Sequence, residues 1–187
     1  MINNQLFASR GYLEAGVIET QGGVELNLTA LPPFLRVILA TDGTVTKCLE
    51  AYFWEPTKVV ILSQYKTSLW RDEPELNLTK GDEILNRKAN IVGKHTGTIY
   101  VQASSLIGLA SLPEKLRQSL FTDDAGIGIS LREIGAETSR EILAIDHYFH
   151  QDASTFTHIE RRYRIVMNRT PFARITERYP ISSYATL

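Results

Sequence analysis

Apolar and polar residues alternate most regularly near the end of the chain, across residues 163–167 and again across residues 172–179. The intervening residues 168–171 include Asn and Pro, which are typical of turns. Two alternating segments joined by turn residues predict a β-hairpin.

One acidic residue of this hairpin falls on its apolar face. Side chains of a strand alternate between its two faces, so Glu177 lies between Ile175 and Tyr179 on the same side. Two explanations remain open at this point. Glu177 is either exposed at a frayed strand end or held in a pocket, and the pocket requires a cation because an unpaired buried carboxylate is strongly destabilising.

Two further hairpins are predicted upstream. Residues 44–54 alternate and are rich in β-branched and aromatic residues, and residues 58–65 form the returning strand after a Glu-Pro-Thr turn. Residues 84–92 and 98–103 form the next hairpin, around a turn bounded by Gly93 and Gly97.

The first strand of that hairpin, residues 84–92, also directs a charge inward. Arg87 shares its face with Ala89 and Ile91, whereas Lys88 and Asn90 point the other way. Arg87 therefore carries the positive charge that would complement the carboxylate of Glu177.

Helices are predicted at two places. Residues 34–40 follow two prolines that suit a first helical turn, and residues 111–121 open with a capping-box spacing. The apolar run 142–145 fits a central strand, although the polar residues before it would also open a helix. The pattern as a whole predicts one α+β domain over residues 1–187: a single antiparallel sheet of about six strands, with helices covering one face.

Composition excludes several classes of protein. The formal net charge of the 187 residues is -1, so nothing favours binding to nucleic acid or to an anionic membrane. The basic residues that cluster across 161–178 are expected to form a solvated face. No signal peptide and no apolar run of about 20 residues is present, so we expect a cytoplasmic protein.

The other candidate sites are weaker. His147 and His150 lie beside two aspartates, but on a strand they would point to opposite faces, so no metal site is predicted. Cys48 has no evident histidine base, so nucleophilic catalysis finds no support. The glycines of residues 126–128 give the backbone freedom that can expose N–H groups to an anion.

These residues together indicate a metal-free pocket. An inward Arg, an inward Glu and backbone donors suit a small aromatic or cyclic carboxylate. Arg would bind the carboxylate, and Glu would face a hydroxyl or an acidic C–H at the far end.

Residues 161–180 begin with an Arg-Arg pair, continue with an apolar strand and a Pro, and end in Thr-Glu-x-aromatic-Pro. This segment resembles the C-terminal hairpin of chorismate pyruvate-lyases. These enzymes convert chorismate into 4-hydroxybenzoate and pyruvate. Shorter segments at residues 42–50, 84–87, 126–128 and 138–145 are similar to family segments in the same order. The resemblance covers about residues 30–180 and is closer to the cyanobacterial and actinobacterial branch than to the enterobacterial enzymes.

The resemblance implies a six-stranded antiparallel sheet with the product enclosed beneath helical flaps. It implies that Arg87 and the backbone N–H groups of Val45 and Ile127 hold the ring carboxylate, and that Glu177 meets the 4-hydroxyl. Arg161, which shares a face with Tyr163, is the nominee for the enolpyruvyl carboxylate, with a surface salt bridge as the alternative. The branch resemblance further implies that the product is used for quinone precursors. No cofactor is expected, and of the oligomeric states, which the sequence leaves open, a monomer is favoured.

A second class of function also fits this fold. Effector domains of some bacterial transcription regulators resemble it and bind small molecules without turning them over. Such regulators carry a helix-turn-helix domain in front, and the roughly 30 residues before the matching region leave little room for one. We therefore expect the lyase, with a ligand-sensing module as the alternative.

Overall fold

The computed structural model describes residues 6–7, 10–122, 126–149 and 156–185 of the chain. Its strands and helices are, in chain order, β1 (Val17–Glu19), β2 (Glu25–Asn27), α1 (Pro33–Ala40), α2 (Val45–Phe53), β3 (Thr57–Ser68), β4 (Glu83–Gly93), β5 (Ile99–Gly108), α3 (Glu114–Thr122), α4 (Ile127–Glu133), β6 (Thr138–Phe149), β7 (Phe156–Met167) and β8 (Thr170–Pro180). Strands β3 to β8 form one antiparallel sheet in the order β3-β4-β5-β8-β7-β6, and β1 pairs with β2 separately. The predicted α+β class and six-stranded antiparallel sheet are confirmed.

Two of the three predicted hairpins are confirmed. β7 and β8 pair around Asn168 and Arg169, whose φ angles of 51° and 63° suit a tight two-residue hairpin turn. β4 and β5 pair as predicted, with Arg87 opposite Ser105. These hairpins are local, so the alternation within each strand was sufficient to predict them.

The predicted hairpin at residues 44–65 is wrong. Its first half is the helix α2, and the second half, β3, pairs with β4 instead. The buried residues of α2, Val45 and Leu49, are four apart, which is a helical interval. The β-branched composition favoured a strand, but packing of these two side chains against the core outweighs a weak intrinsic preference.

Strand β6 is confirmed at residues 142–145, but its predicted central position is wrong, because it lies at the edge of the sheet beside β7 only. The helices of the described part of the chain are short, and none is long and apolar enough to cross a membrane.

The inner face of the sheet carries two hydrophobic clusters. One packs α1 and α2, through residues such as Leu35 and Leu49, against Val101 and Tyr179 of the sheet. The other packs α3 and α4 against the opposite ends of the same strands, for example at Ile107. The middle of the inner face, between the two clusters, is where the inward-facing charges lie.

Candidate active site

A cavity of about 100 Å³ lies over the middle of the sheet. Six strands contribute its floor, and the segments that begin α2 and α4, residues 43–46 and 126–129, cover it. Most of the floor is apolar, including Val59, Ile91 and Ile175. Its volume is of the same order as the ~150 Å³ apolar cavity that admits one benzene, so the space suits a single six-membered ring.

Arg87 and Glu177 both line this cavity. Each is buried, with 4% of its surface exposed, and each points inward as its strand pattern predicted. The sheet register places β5 between them, with Ala103 opposite both Ala89 and Glu177. Arg87 and Glu177 are two strands apart across the sheet and two residues apart along the strand direction. At ordinary strand spacing their backbones are therefore roughly 12 Å apart. The small side chains between them leave room for a ring.

Among the described residues, three side chains donate hydrogen bonds to the carboxylate of Glu177. Arg161 Nη2 donates to Oε2 at 2.8 Å, and the Tyr179 hydroxyl donates to the same oxygen. The Tyr163 hydroxyl donates to Oε1 at 3.0 Å. Because each carboxylate oxygen accepts about two hydrogen bonds, Oε2 is saturated by these contacts and Oε1 retains one acceptor position.

The two tyrosines serve Glu177 as neutral donors. Burial raises the pKa of Tyr163 and of Tyr179 well above the ordinary value of 10.0, and the nearby carboxylate of Glu177 acts in the same direction. Both phenols therefore remain protonated and keep their hydrogen bonds at any physiological pH.

Arg161 lies behind Glu177 and is not among the residues that line the cavity. Its guanidinium is fully buried, and Nη1 donates to Ile38 O at 2.6 Å and to Thr41 O at 2.8 Å at the end of α1. The alternative of a surface salt bridge for Arg161 is therefore wrong. The expected contact with a substrate carboxylate stays a prediction, and this placement does not favour it.

The segments expected to supply backbone donors are at the cavity. Val45 and Ile127 are the first residues of α2 and α4, and neither helix has a side-chain cap at Thr44 or Gly126. The first N–H groups of a helix have no intrahelical partner. Both residues line the cavity.

Sequence reasoning missed Arg140, which lines the same cavity from β6. Its Nη1 donates to Asp42 O at 3.1 Å, in the loop that leads into α2. The signal was present: Arg140 and Ile142 pair with Ile165 and Tyr163, so the inward alternation of the predicted strand also includes Arg140.

The basic residues across 161–178 were expected to form a solvated face, and most of them do. Arg162, Arg164, Arg174 and Arg178 are partly exposed and pair with glutamates, whereas Arg161 is buried. Of the weaker candidate sites, His147 lies in β6, and His150 is outside the described residues. Within the described residues no group of three or more His, Cys, Asp or Glu side chains is arranged to hold a metal ion.

Comparison with known proteins agrees with the sequence resemblance. Residues 39–186 match the family model described as chorismate pyruvate-lyase Rv2949c-like. A chorismate pyruvate-lyase from Mycobacterium leprae is 29% identical over 152 residues, which cover 76% of this chain and 72% of that protein.

Solved structures with the same fold include bacterial regulators. PhnF from Mycobacterium smegmatis is similar with a TM-score of 0.57 at 15% identity, over 75% of this chain and 64% of PhnF, so the chain spans less than two thirds of that protein. The separate effector domain of PhnF has the same TM-score and identity, over 74% of this chain and 88% of the domain. A GntR-family regulator from Bacillus cereus has a TM-score of 0.52 at 9% identity, over 68% of this chain and 94% of its own. At these identities the likeness shows the fold alone.

Proposed function

The chain belongs to the Rv2949c-like chorismate pyruvate-lyase family, and from that premise we propose that it converts chorismate into 4-hydroxybenzoate and pyruvate. The observation that carries the proposal is the position of Arg87 and Glu177 at opposite sides of one ring-sized cavity. The chemistry itself is an elimination. The bond between ring carbon C3 and the ether oxygen breaks, C4 loses a proton, the ring becomes aromatic, and the released enolpyruvate takes up a proton to give pyruvate.

Arg87 is proposed to bind the ring carboxylate. A guanidinium presents two parallel N–H groups that match the two oxygens of a carboxylate. The backbone N–H groups of Val45 and Ile127 are proposed to add hydrogen bonds to the same group, since both residues line the cavity and each is the first of its helix. The ring is thereby fixed at its C1 end.

Glu177 is proposed to accept a hydrogen bond from the substrate 4-hydroxyl. Within the described part of the chain Oε1 accepts a hydrogen bond from the Tyr163 hydroxyl alone, which leaves one acceptor position on a carboxylate that lines the cavity. Holding both ends of the ring places C3 and C4 in one geometry, and positioning of this kind is a large part of catalysis when the driving force is in the substrate.

The proposal also covers cofactor requirement, oligomeric state and location. The elimination is redox-neutral, so turnover is expected without a metal or cofactor. The protein is proposed to act as a cytoplasmic monomer that binds neither nucleic acid nor membranes, with a product destined for quinone precursors.

The test is incubation of the purified protein with chorismate, with no added metal, and chromatography of both products. We expect 4-hydroxybenzoate and pyruvate in equal amounts, unchanged by a chelator. R87A should weaken binding of 4-hydroxybenzoate, whereas K88A, the next residue of β4 on the exposed face, should leave it unchanged. E177Q should lower turnover well beyond its effect on folding, because a neutral amide oxygen accepts a weaker hydrogen bond than a carboxylate.

A second function, ligand sensing, is the alternative that the fold permits. Absence of chorismate turnover together with tight binding of 4-hydroxybenzoate would favour it. Wild-type turnover in both R87A and E177Q would instead contradict the assignment of the site.

A further inference from the structure

The cavity contains a second cation that no part of the proposed chemistry has yet used. Arg140 reaches the cavity from β6, at the opposite edge of the sheet from β3. Three strands lie between β4 and β6, so the backbones of Arg87 and Arg140 are roughly 19 Å apart and their side chains approach the cavity from opposite sides.

The position of the Arg140 guanidinium is defined by two contacts. Nη1 donates to Asp42 O at 3.1 Å, and Nη2 lies 3.6 Å from the point where a Cβ on Gly128 would stand. The guanidinium therefore lies between the segments that begin α2 and α4.

The charge of Arg140 is not matched by an acid. Among the described residues no carboxylate oxygen lies within 4.0 Å of its guanidinium, whereas the neighbouring Arg164 on β7 is paired with Glu141 at 2.7 Å. The charge of Glu177 is already balanced by Arg161 at 2.8 Å. Arg140 would therefore suit a second carboxylate on the ligand, in addition to the ring carboxylate proposed for Arg87.

Chorismate is such a ligand, since it has a ring carboxylate at C1 and a second carboxylate on the enolpyruvyl ether at C3. We propose that Arg140 binds the enolpyruvyl carboxylate and that the site thereby selects a dicarboxylate over the monocarboxylate product. This inference rests on the proposed function. With Arg87 at C1, Glu177 at the 4-hydroxyl and Arg140 at the C3 substituent, the substrate is held at three points.

The substrate and the product would therefore be bound by different sets of contacts. Elimination breaks the C3–O bond, so the carboxylate held by Arg140 leaves with pyruvate. The aromatic product keeps only the contacts with Arg87 and Glu177. Arg140 should therefore contribute to recognition of chorismate and not to recognition of 4-hydroxybenzoate.

The test compares binding of two aromatic probes that the enzyme has no means of converting. The first is 3-(1-carboxyvinyloxy)benzoate, which carries both carboxylates on a ring that is already aromatic, and the second is 4-hydroxybenzoate. The variant is R140Q, because Gln removes the charge and still has an N–H to offer Asp42 O. Titration calorimetry should show an affinity for the dicarboxylate that is about 10- to 100-fold lower, as expected for loss of a charged hydrogen bond. The affinity for 4-hydroxybenzoate should change less than about twofold.

Two controls sharpen the comparison. R87Q should weaken both probes, because both carry the ring carboxylate. R132Q should weaken neither, because Arg132 is exposed, donates to Thr44 Oγ1 at 3.1 Å and is not among the residues that line the cavity.

Equal affinities of R140Q and wild type for the dicarboxylate would overturn the proposal. So would a parallel loss for both probes, which would mean that Arg140 acts only by holding the loop at Asp42. Since neither probe requires turnover, failure of the lyase assay and failure of the Arg140 assignment are distinguishable.

Discussion

The buried pair of Arg161 and Glu177 gives the sharpest prediction about stability. Arg161→Met removes the cation and keeps an apolar side chain of similar length. The carboxylate of Glu177 would then stay buried with only two tyrosine donors, and the carbonyl groups of Ile38 and Thr41 would lose the N–H that they now share.

The expected magnitude follows from burial of the pair. The side chains of Arg161 and Glu177 are 1% and 5% exposed. Breaking a buried pair by removing one partner typically destabilises by about 3–5 kcal/mol, because the other charge is left uncompensated. That is a large part of the 5–15 kcal/mol by which typical domains are stable. With a urea dependence of about 2 kcal/mol/M, the midpoint should fall by roughly 2 M.

The assay is urea unfolding followed by far-UV circular dichroism. Trp54 and Trp70 are 89% and 74% exposed, so tryptophan fluorescence would report weakly on the core. E177Q and the double variant R161M/E177Q complete a cycle, and we expect the double variant to be less destabilised than the sum of the single variants by about 1–3 kcal/mol.

The matched control is a pair on the surface. Lys66 and Glu83 lie 2.7 Å apart with side chains 51% and 57% exposed, so K66M should cost at most about 1 kcal/mol. If R161M is no more destabilising than K66M, or if the cycle shows no coupling, then Arg161 does not hold Glu177 in the way argued above.

The remaining predictions concern Ala103 in the cavity, the acid Glu55, and the buried phenols of Tyr163 and Tyr179. Ala103→Leu fills the space between the two charged side chains, so calorimetry should show loss of 4-hydroxybenzoate binding, while the unfolding free energy falls by no more than about 3 kcal/mol. A hydrogen bond from the Tyr100 hydroxyl, aided by the turn after β4, lowers the pKa of Glu55 from 4.5 to about 2. The contribution of Glu55 to stability is therefore present at neutral pH and lost as the pH falls from about 4.5 through 2. In that window the free energy of unfolding of E55Q should depend less steeply on pH than that of the unchanged protein. The raised pKa values of Tyr163 and Tyr179 give stability that is present below pH 10 and lost above it, so absorbance titration should show both phenols ionising only as the protein unfolds.

Each of these predictions has a control or an outcome that would contradict it. Ser104→Leu, on the opposite face of β5, should leave ligand binding intact, and loss of binding in both variants would point to general damage. Above about pH 6, outside that window, E55Q and the unchanged protein should show the same dependence of unfolding free energy on pH. A titration in which Tyr163 and Tyr179 ionise while circular dichroism still shows a folded protein would contradict the burial argument.

Much of the site followed from period-2 alternation. Arg87 and Glu177 were expected to face inward because each sits among small or apolar residues at every second position, and both are buried at the cavity. The alternation also contained Arg140, which shares its face with Ile142. Arg140 and Glu141 are both charged and precede the apolar run 142–145, so composition alone does not show that Arg140 faces inward.

The helix α2 shows where local reasoning failed. Its composition favours a strand, yet Val45 and Leu49 are buried at a helical interval. Which of two weak local preferences prevails is decided by the apolar surface that each would bury, and that surface comes from distant parts of the chain.

Alternation along the chain was enough to predict the two local hairpins and the inward positions of Arg87 and Glu177, because it depends only on neighbours in the sequence. Only the tertiary structure decided the strand order, which brings Arg140 to the cavity and places Arg161 behind Glu177. Arg161 is 16 residues from Glu177 and more than 100 from the α1 carbonyl groups to which it donates. No pattern along the chain states whether a guanidinium will meet a ligand or a helix end, since that depends on which element packs over it.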